Sequence, residues 1–163
     1  MEYTGKLKTA LEFASEKHEG QYRKGGEDYI IHPMAVCEML EKDGYGEDYL
    51  ITALFHDLLE DTDATEDEIR SIAGEEVLRA VKLLTKTKGY VQEEYISNIR
   101  SNPIARVVKA ADRLHNLRSA VVSTEEFRRK YILESLQWYV DLDPRIIGAV
   151  RDLNETLTEP LDI

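Results

Sequence analysis

The sequence has one cysteine, Cys37, among 163 residues. A single cysteine excludes an internal disulfide framework and any zinc cluster built from cysteine thiolates. Cys37 lies in the run MAVCEML, whose apolar residues recur at helical spacing. This setting favours a small buried hydrophobic side chain over a reactive thiol.

Long apolar runs are also absent. The uninterrupted ones are a few residues long, far below the roughly 20 residues that a membrane-spanning helix needs. The N-terminal stretch MEYTGKLKTALEF is polar and periodic, and it lacks the apolar core of a secretory signal. We therefore predict a cytoplasmic protein that does not enter a membrane.

Basic residues are scarce, with 21 Lys and Arg against 32 Asp and Glu and a net charge of −11. This balance argues against broad binding to DNA or RNA, which normally requires a basic face. A small anionic ligand remains compatible with the charge if a local basic cluster or a metal cation meets it.

Helical periodicity dominates the chain, and no segment alternates with period two for long enough to indicate a strand. At this length the chain suits one domain, residues 1–163, of the all-α class. The predicted helices are one around Leu7 that stops near Gly20, 33–42, 47–59, one capped by Thr65 and ended by Gly74, 75–84, 91–99, 103–115, and two that start at Thr124 and Asp143.

The longest irregular stretch is EGQYRKGGEDYIIHP, residues 19–33. It contains three glycines and the basic pair Arg23 and Lys24 in a chain that otherwise uses short connections. Loops of this length are usually either functional or disordered.

A second unusual stretch is ALFHDLLEDT, residues 53–62. In a continuous helix, His56, Asp57, Glu60 and Asp61 would lie within an arc of about 140°. Acids in a last helical turn oppose the helix dipole, and their repulsion raises pKa values unless a cation is present.

Ordinary explanations were weighed for each acid. Asp63 precedes a helix and suits an exposed loop, and the same explanation is open for Glu60 and Asp61. A bound metal explains His56 and Asp57 together better than separate hydrogen bonds do.

A metal needs further ligands. His32 precedes Pro33, which disfavours helical geometry at His32 and puts it at a helix entrance after the loop. Asp112, in KAADRLHNLR, continues an apolar helix face, although a pairing with Lys109 would also account for it.

The three segments FASEKHEGQYRKGGEDYIIHP, LFHDLLEDT and KAADRLHNLR resemble, in this order, the motifs of HD-domain hydrolases of the RelA/SpoT type. The resemblance is strongest to the small stand-alone ppGpp hydrolases and covers about residues 7–140. It implies a single helical HD-domain bundle. No segment resembles the synthetase domain of that family.

The resemblance implies one divalent ion, most often Mn²⁺. Its ligands would be His32, His56, Asp57 and Asp112. Two imidazoles and two carboxylates suit Mn, Fe, Co or Zn, so the donor set alone does not select the metal. Binuclear relatives use more histidines, and the two that remain here are better explained as structural hydrogen-bonding residues; they are His18 and His115.

The resemblance also implies roles for residues around the metal. Glu60 and Asp61 would position and deprotonate the attacking water and protonate the leaving 3′-oxygen, with Glu60 the more important. The nucleotide-binding residues would be Arg23 and Lys24 at the base or phosphate, Lys86 near the phosphates, and Asn116. For Arg23, Lys24 and Lys86 the alternative is a solvated surface, and for Arg113 and Arg118 the choice is between phosphate and surface acids.

The implied function is a 3′-pyrophosphohydrolase of ppGpp and pppGpp acting in the stringent response. The alternative is the same machinery acting on another nucleotide, such as a 2′-phosphatase of NADPH or a nucleotide 3′-phosphatase. A non-catalytic nucleotide sensor is less favoured because the metal ligands and both catalytic acids are all retained. Gly25 stands where the family commonly has Ser, which leaves the selectivity for ppGpp open.

Overall fold

A computed structural model describes all 163 residues, and it confirms the all-α prediction. One isolated β-bridge joins Tyr22 and Asp28, and there is no strand. The helices are α1 (Gly5–Lys17), α2 (Ile31–Lys42), α3 (Glu47–Phe55), α4 (Leu58–Asp61), α5 (Glu66–Ala73), α6 (Glu75–Leu84), α7 (Gln92–Arg100), α8 (Pro103–Ser119), the 3₁₀ helix Ala120–Val122, α9 (Glu125–Trp138) and α10 (Arg145–Glu155).

The chain groups into two compact units, Met1–Lys109 and Ala110–Ile163, with the boundary inside α8. No helix combines the length and the apolar character needed to cross a bilayer.

Helix α3 is the centre of the first unit, where it packs against α1, α2, α5 and α6. Every residue from Leu50 to Phe55 is buried, as expected for a helix covered on all sides. Phe55, the last residue of α3, makes an edge-to-face contact with Phe13, with the ring centroids 5.7 Å apart. Each such side chain contributes about 2 kcal/mol by burial. The residues that follow α3 therefore start inside the unit rather than at its surface.

Capping residues place several helix ends where the sequence predicts them. Thr65 and Glu68 form a reciprocal capping box at the start of α5. Gly74 ends α5 with φ of +89°, a conformation that strongly favours glycine. Asn102 accepts a hydrogen bond from the N–H of Ala105 at 2.9 Å and caps α8.

The prediction of one continuous helix over 47–59 is wrong at residues 56 and 57, because α3 ends at Phe55 and the short α4 begins at Leu58. A regular helix would offer the carbonyl of Ala53 to the N–H of Asp57. Here that carbonyl accepts a hydrogen bond from the ring of His56, at 2.6 Å from Nδ1. The side chain of His56 thus competes for the helical acceptor, and residues 56 and 57 form a turn.

The predicted place of His32 is also corrected. Helix α2 begins at Ile31, so His32 and Pro33 both lie in its first turn rather than His32 preceding it. Proline is tolerated there because the first N–H groups of a helix have no partner within the helix. The expected non-helical geometry at His32 is therefore overridden by the helix start.

In the second unit, α9 and α10 pack against each other. Their buried faces carry Ile132 from α9, and Ile146, Val150 and Leu153 from α10. Helix α8 extends to Ser119, one turn beyond the predicted end.

Candidate active site

His32, His56 and Asp57 form a compact cluster in the first unit. Their ligand atoms all lie within 4.8 Å of one another. Both imidazoles are buried, at 1% and 4% exposure, and Asp57 is half-buried. The two rings meet edge to face with centroids 5.3 Å apart. The turn after α3 and the first turn of α2 thus bring three predicted ligands together.

The ring orientation of His56 is set by the backbone of its own helix. A carbonyl only accepts hydrogen bonds, so the Nδ1 atom that faces Ala53 carries the proton. In a neutral ring, Nε2 then presents its lone pair, and it lies 3.1 Å from Oδ2 of Asp57. Two acceptors at this separation repel each other unless the ring is protonated or a cation lies with them.

This arrangement fits a divalent cation. A histidine that ligates a metal commonly donates its other N–H to a carbonyl or carboxylate, as His56 does to Ala53. Buried imidazoles with a carboxylate are a ligand set suited to divalent transition metals. His32, His56 and Asp57 therefore fit a divalent metal ion in their donor types and in their spacing.

Tyr29 also reaches this cluster, and the sequence did not single it out. Its hydroxyl donates to Oδ2 of Asp57. The centroid of its ring lies 4.8 Å from the ring centroid of His18 and 5.9 Å from that of His32. The available signal was its place in the loop 19–33, three residues before His32.

Glu60 and Lys86 are connected, but through the backbone of Lys86. The N–H of Lys86 donates to Oε1 of Glu60 at 2.6 Å, just beyond the end of α6. The ammonium of Lys86 lies 5.3 Å from the ring centroid of Tyr90 and 5.4 Å from that of Tyr95. The backbone of Lys86, a predicted substrate-binding residue, thus orients Glu60, a predicted catalytic acid. The ammonium of Lys86 makes cation–π contacts with the two tyrosine rings.

Asp61 is held by the loop that follows α1. The side chain of Gln21 donates to the carbonyl of Asp61 at 2.9 Å. Gln21 itself is fixed by Nδ1 of buried His18, at 2.8 Å. Partial burial, followed by the negative charges of Asp57 and Glu60, raises the pKa of the Asp61 carboxyl to about 6.

His18 and Asp63 agree with their structural explanations. Burial lowers the pKa of His18, and Nδ1 of its ring is hydrogen-bonded to the side chain of Gln21. Exposed Asp63 pairs with Lys17 at 3.0 Å, as expected of an acid in a loop before a helix.

The basic pair lies at the turn of the loop 19–33. The N–H of Arg23 donates to the carbonyl of Glu27 at 2.8 Å, and Gly26 closes the turn at a φ of +97°. Arg23 is half-buried and Lys24 is exposed. A cavity of about 450 Å³ lies beside this loop and is lined in part by His18.

Asp112 and Asn116 belong to the second unit. Asp112 is buried at 6% exposure and accepts a hydrogen bond from the side-chain amide of Asn116 at 3.1 Å. The two residues are one helical turn apart on α8.

Arg113, next to Asp112 in the same unit, is neither a surface residue nor directed at solvent. Its guanidinium lies 4.1 Å from the ring centroid of Tyr131 and 3.9 Å from that of Tyr139. It also donates to Glu134 at 2.6 Å. Of the two alternatives for Arg113, the structure shows the pairing with a surface acid, since Glu134 is exposed while the guanidinium itself is buried.

Comparison with known proteins shows which family the chain belongs to. A model of the HD domain matches residues 10–146, which is most of the chain and includes every predicted site residue. The chain belongs to the HD-domain family. The prediction of an HD-type fold is confirmed.

Curated relatives of this HD domain include proteins named for ppGpp metabolism. A guanosine-3′,5′-bis(diphosphate) 3′-pyrophosphohydrolase of Aquifex aeolicus is 38% identical over 89% of the chain. A GTP pyrophosphokinase of Myxococcus xanthus is 34% identical over 86%. The chain spans about a fifth of the length of these relatives, 22% and 20% respectively.

A solved structure matches the HD domain over almost its whole length. It is a metazoan orthologue of SpoT, described as hydrolysing ppGpp and playing a role in starvation responses. The two chains superpose with a TM-score of 0.77 at 28% identity, and the match covers 96% of each.

Proposed function

We propose that this HD domain is a metal-dependent phosphohydrolase that removes pyrophosphate from the 3′ position of ppGpp and pppGpp. The observation that carries the proposal is the cluster of His32, His56 and Asp57, with both imidazoles buried, followed in the chain by the acid pair Glu60 and Asp61. The similarity to a solved SpoT orthologue described as hydrolysing ppGpp supports this substrate.

The metal would be one divalent ion, with Mn²⁺ as the proposed species. His32, His56 and Asp57 would hold it, together with Asp112 by resemblance to the family. When bound, such an ion polarises the phosphoryl group and lowers the pKa of a coordinated water. His56 is already oriented for this role by its bond to the Ala53 carbonyl.

Glu60 and Asp61 would handle the protons of the reaction. One carboxylate takes a proton from the attacking water, whose oxygen bonds to the 3′-attached phosphorus. The bond between that phosphorus and the 3′-oxygen breaks, and the 3′-oxygen leaves with a proton. An acid–base group is most effective when its pKa lies near the working pH, and the pKa of about 6 at Asp61 suits that task. Glu60 is proposed as the main base.

The nucleotide would be bound by residues outside the metal cluster. Arg23 would stack on the base, Lys24 would meet base or phosphate, Lys86 would lie near the phosphates, and Asn116 would hold the nucleotide. A planar guanidinium suits stacking on a base. These local cations and the metal would offset the net charge of −11 towards an anionic substrate.

The remaining expectations concern the protein as a whole. We propose a single HD-type domain over residues 1–163 and a cytoplasmic protein of the stringent response. Its partner would be a small-molecule nucleotide, with no role for nucleic acids or membranes. The family match from residue 10 to residue 146 runs through both compact units and supports the single domain.

A substrate panel tests the proposal. Protein loaded with Mn²⁺ is offered ppGpp, pppGpp, NADPH and 3′-phosphonucleotides at equal concentration, and released pyrophosphate and phosphate are separated by ion chromatography. We expect pyrophosphate from ppGpp. Turnover of another nucleotide with ppGpp untouched would favour a different phosphohydrolase, and binding without turnover would favour a sensor.

The variant Asp57→Ala should lose bound Mn²⁺ and hydrolysis together. Asp63→Ala is the matched control, since it removes an exposed acid of the same segment. Retained hydrolysis in Asp57→Ala would contradict the proposed metal site.

A further inference from the structure

Tyr29 contacts the cluster of His32, His56 and Asp57, and the resemblance to the family assigns it no role. Its hydroxyl donates to Oδ2 of Asp57, the same oxygen that lies 3.1 Å from Nε2 of His56. A phenol hydroxyl can donate a hydrogen bond, and a carboxylate only accepts. The direction of this hydrogen bond is therefore fixed, with Tyr29 as donor and Asp57 as acceptor.

The backbone holds Tyr29 at both ends of its segment. Its N–H donates to the carbonyl of Gln21 at 2.9 Å, which ties it to the start of the loop. Its carbonyl accepts from the N–H of His32 at 3.0 Å, in the first turn of α2. Tyr29 is thus placed by the same turn that places a predicted metal ligand.

Ring packing removes the remaining freedom of the side chain. The Tyr29 ring packs against two histidine rings, with centroid distances of 4.8 Å to His18 and 5.9 Å to His32. Both histidines are buried, at 2% and 1% exposure. A side chain fixed in this way presents its hydroxyl at a defined point, so its hydrogen bond can orient a flexible partner.

We propose that Tyr29 is a positioning residue for the metal site. By donating to one lone pair of Oδ2, it holds the Asp57 carboxylate in the orientation in which it converges with His32 and His56 on a divalent cation. Outer groups that orient ligands in this way commonly change metal affinity by about 10- to 100-fold when they are removed. This inference rests on the metal site of the proposed function.

The test uses Mn²⁺ alone and the full chain. Free Mn²⁺ is measured by its electron paramagnetic resonance signal during titration of wild type and of Tyr29→Phe. The substitution keeps the ring that packs against the two histidines and removes only the hydroxyl. We expect the Kd for Mn²⁺ to rise by about 10-fold or more. Tyr22→Phe is the matched control in the same loop, since Tyr22 is 66% exposed, and its Kd should equal that of wild type.

The outcomes separate this inference from the proposed function. If wild type and Tyr29→Phe bind Mn²⁺ with equal Kd, the positioning role is refuted and the metal site stands. If wild type binds no Mn²⁺, the metal site itself is refuted. A purely structural role for Tyr29 would lower the thermal midpoint of the metal-free protein and leave the Kd of the folded protein unchanged.

A second measurement does not depend on metal binding. The thermal midpoints of the metal-free proteins are compared for Tyr29→Phe, Asp57→Asn and the double variant. If the hydroxyl acts on Asp57, the effect of Tyr29→Phe changes when Asp57 is replaced, so the two effects are not additive. Additive effects would show that the hydroxyl does not act through Asp57 and would overturn the inference.

Discussion

Replacement of Asp61 by Asn should stabilise the metal-free protein at neutral pH. The pKa of this carboxyl is about 6 in the folded protein against an ordinary 3.8. The folded state therefore binds the proton more tightly than the unfolded chain does. Ionisation of Asp61 lowers the free energy of unfolding, and this loss develops between about pH 4 and pH 6 and is complete above that range.

The size of the effect follows from the difference between the two pKa values. Without screening by solvent, this pKa difference would correspond to about 3 kcal/mol in the free energy of unfolding. Solvent still reaches the Asp61 carboxylate and screens its neighbours, so we expect a gain of about 1 kcal/mol in Asp61→Asn. For a chain of this length, that raises the thermal midpoint by about 2–4 °C. The bond from Gln21 persists, because it ends on the backbone carbonyl.

Thermal unfolding in EDTA at about pH 7.5 and at about pH 4 measures this gain, which should be present at the higher pH and nearly absent at the lower. Asp63→Asn is the control. The carboxylate that it removes lies in the same segment but pairs with Lys17. It should give no stabilisation. An equal gain at both pH values, or no gain at neutral pH, would refute the argument that ionised Asp61 is destabilised in the folded protein.

Three further substitutions test other contacts. Arg113→Lys loses the planar stacking between two tyrosine rings and should lower the free energy of unfolding by about 2 kcal/mol in urea titrations, whereas Arg79→Lys on the surface should change it little. Gly25→Ser should fold with a stability change within about 0.5 kcal/mol, because the new side chain meets only the flexible end of Glu27, and a shift of the substrate panel towards ppGpp would assign the selectivity to this position. Gln21→Leu should lower kcat with little change in the Kd for Mn²⁺, since it releases the Asp61 segment and leaves the metal cluster intact; an unchanged kcat would contradict the positioning of Asp61 by Gln21.

Helix ends were predictable where a local signal determines them. The capping box at Thr65, the glycine at Gly74 and the Asn102–Pro103 start of α8 act within a few residues, so their effect is visible in the sequence. The break after Phe55 was not predictable from periodicity. Apolar residues continue on both sides of it, and the competition for the Ala53 carbonyl depends on where the ring of His56 points.

The contacts of the candidate site were also predictable from the sequence only in part. The clustering of His32, His56 and Asp57 followed from a resemblance between motifs, and the structure brings these three together. The contacts of Tyr29 with Asp57 and of Gln21 with Asp61 join residues 28 and 40 positions apart. Such pairings depend on how the loop lies against α3 and α4, which no local pattern reports. For Lys86, the sequence pointed to its charge, while its hydrogen bond to Glu60 comes from its backbone N–H.

The loop 19–33 has a consequence for attempts to change specificity. The segment that carries Arg23 and Lys24 also carries Gln21 and Tyr29, which hold the backbone of Asp61 and the carboxylate of Asp57. A loop grafted from a homologue to accept a new nucleotide would therefore replace supports of the proposed catalytic centre along with the proposed recognition residues. Grafts that retain Gln21 and Tyr29 should keep hydrolytic activity while nucleotide recognition changes. These two residues should therefore be kept unchanged when the loop is redesigned.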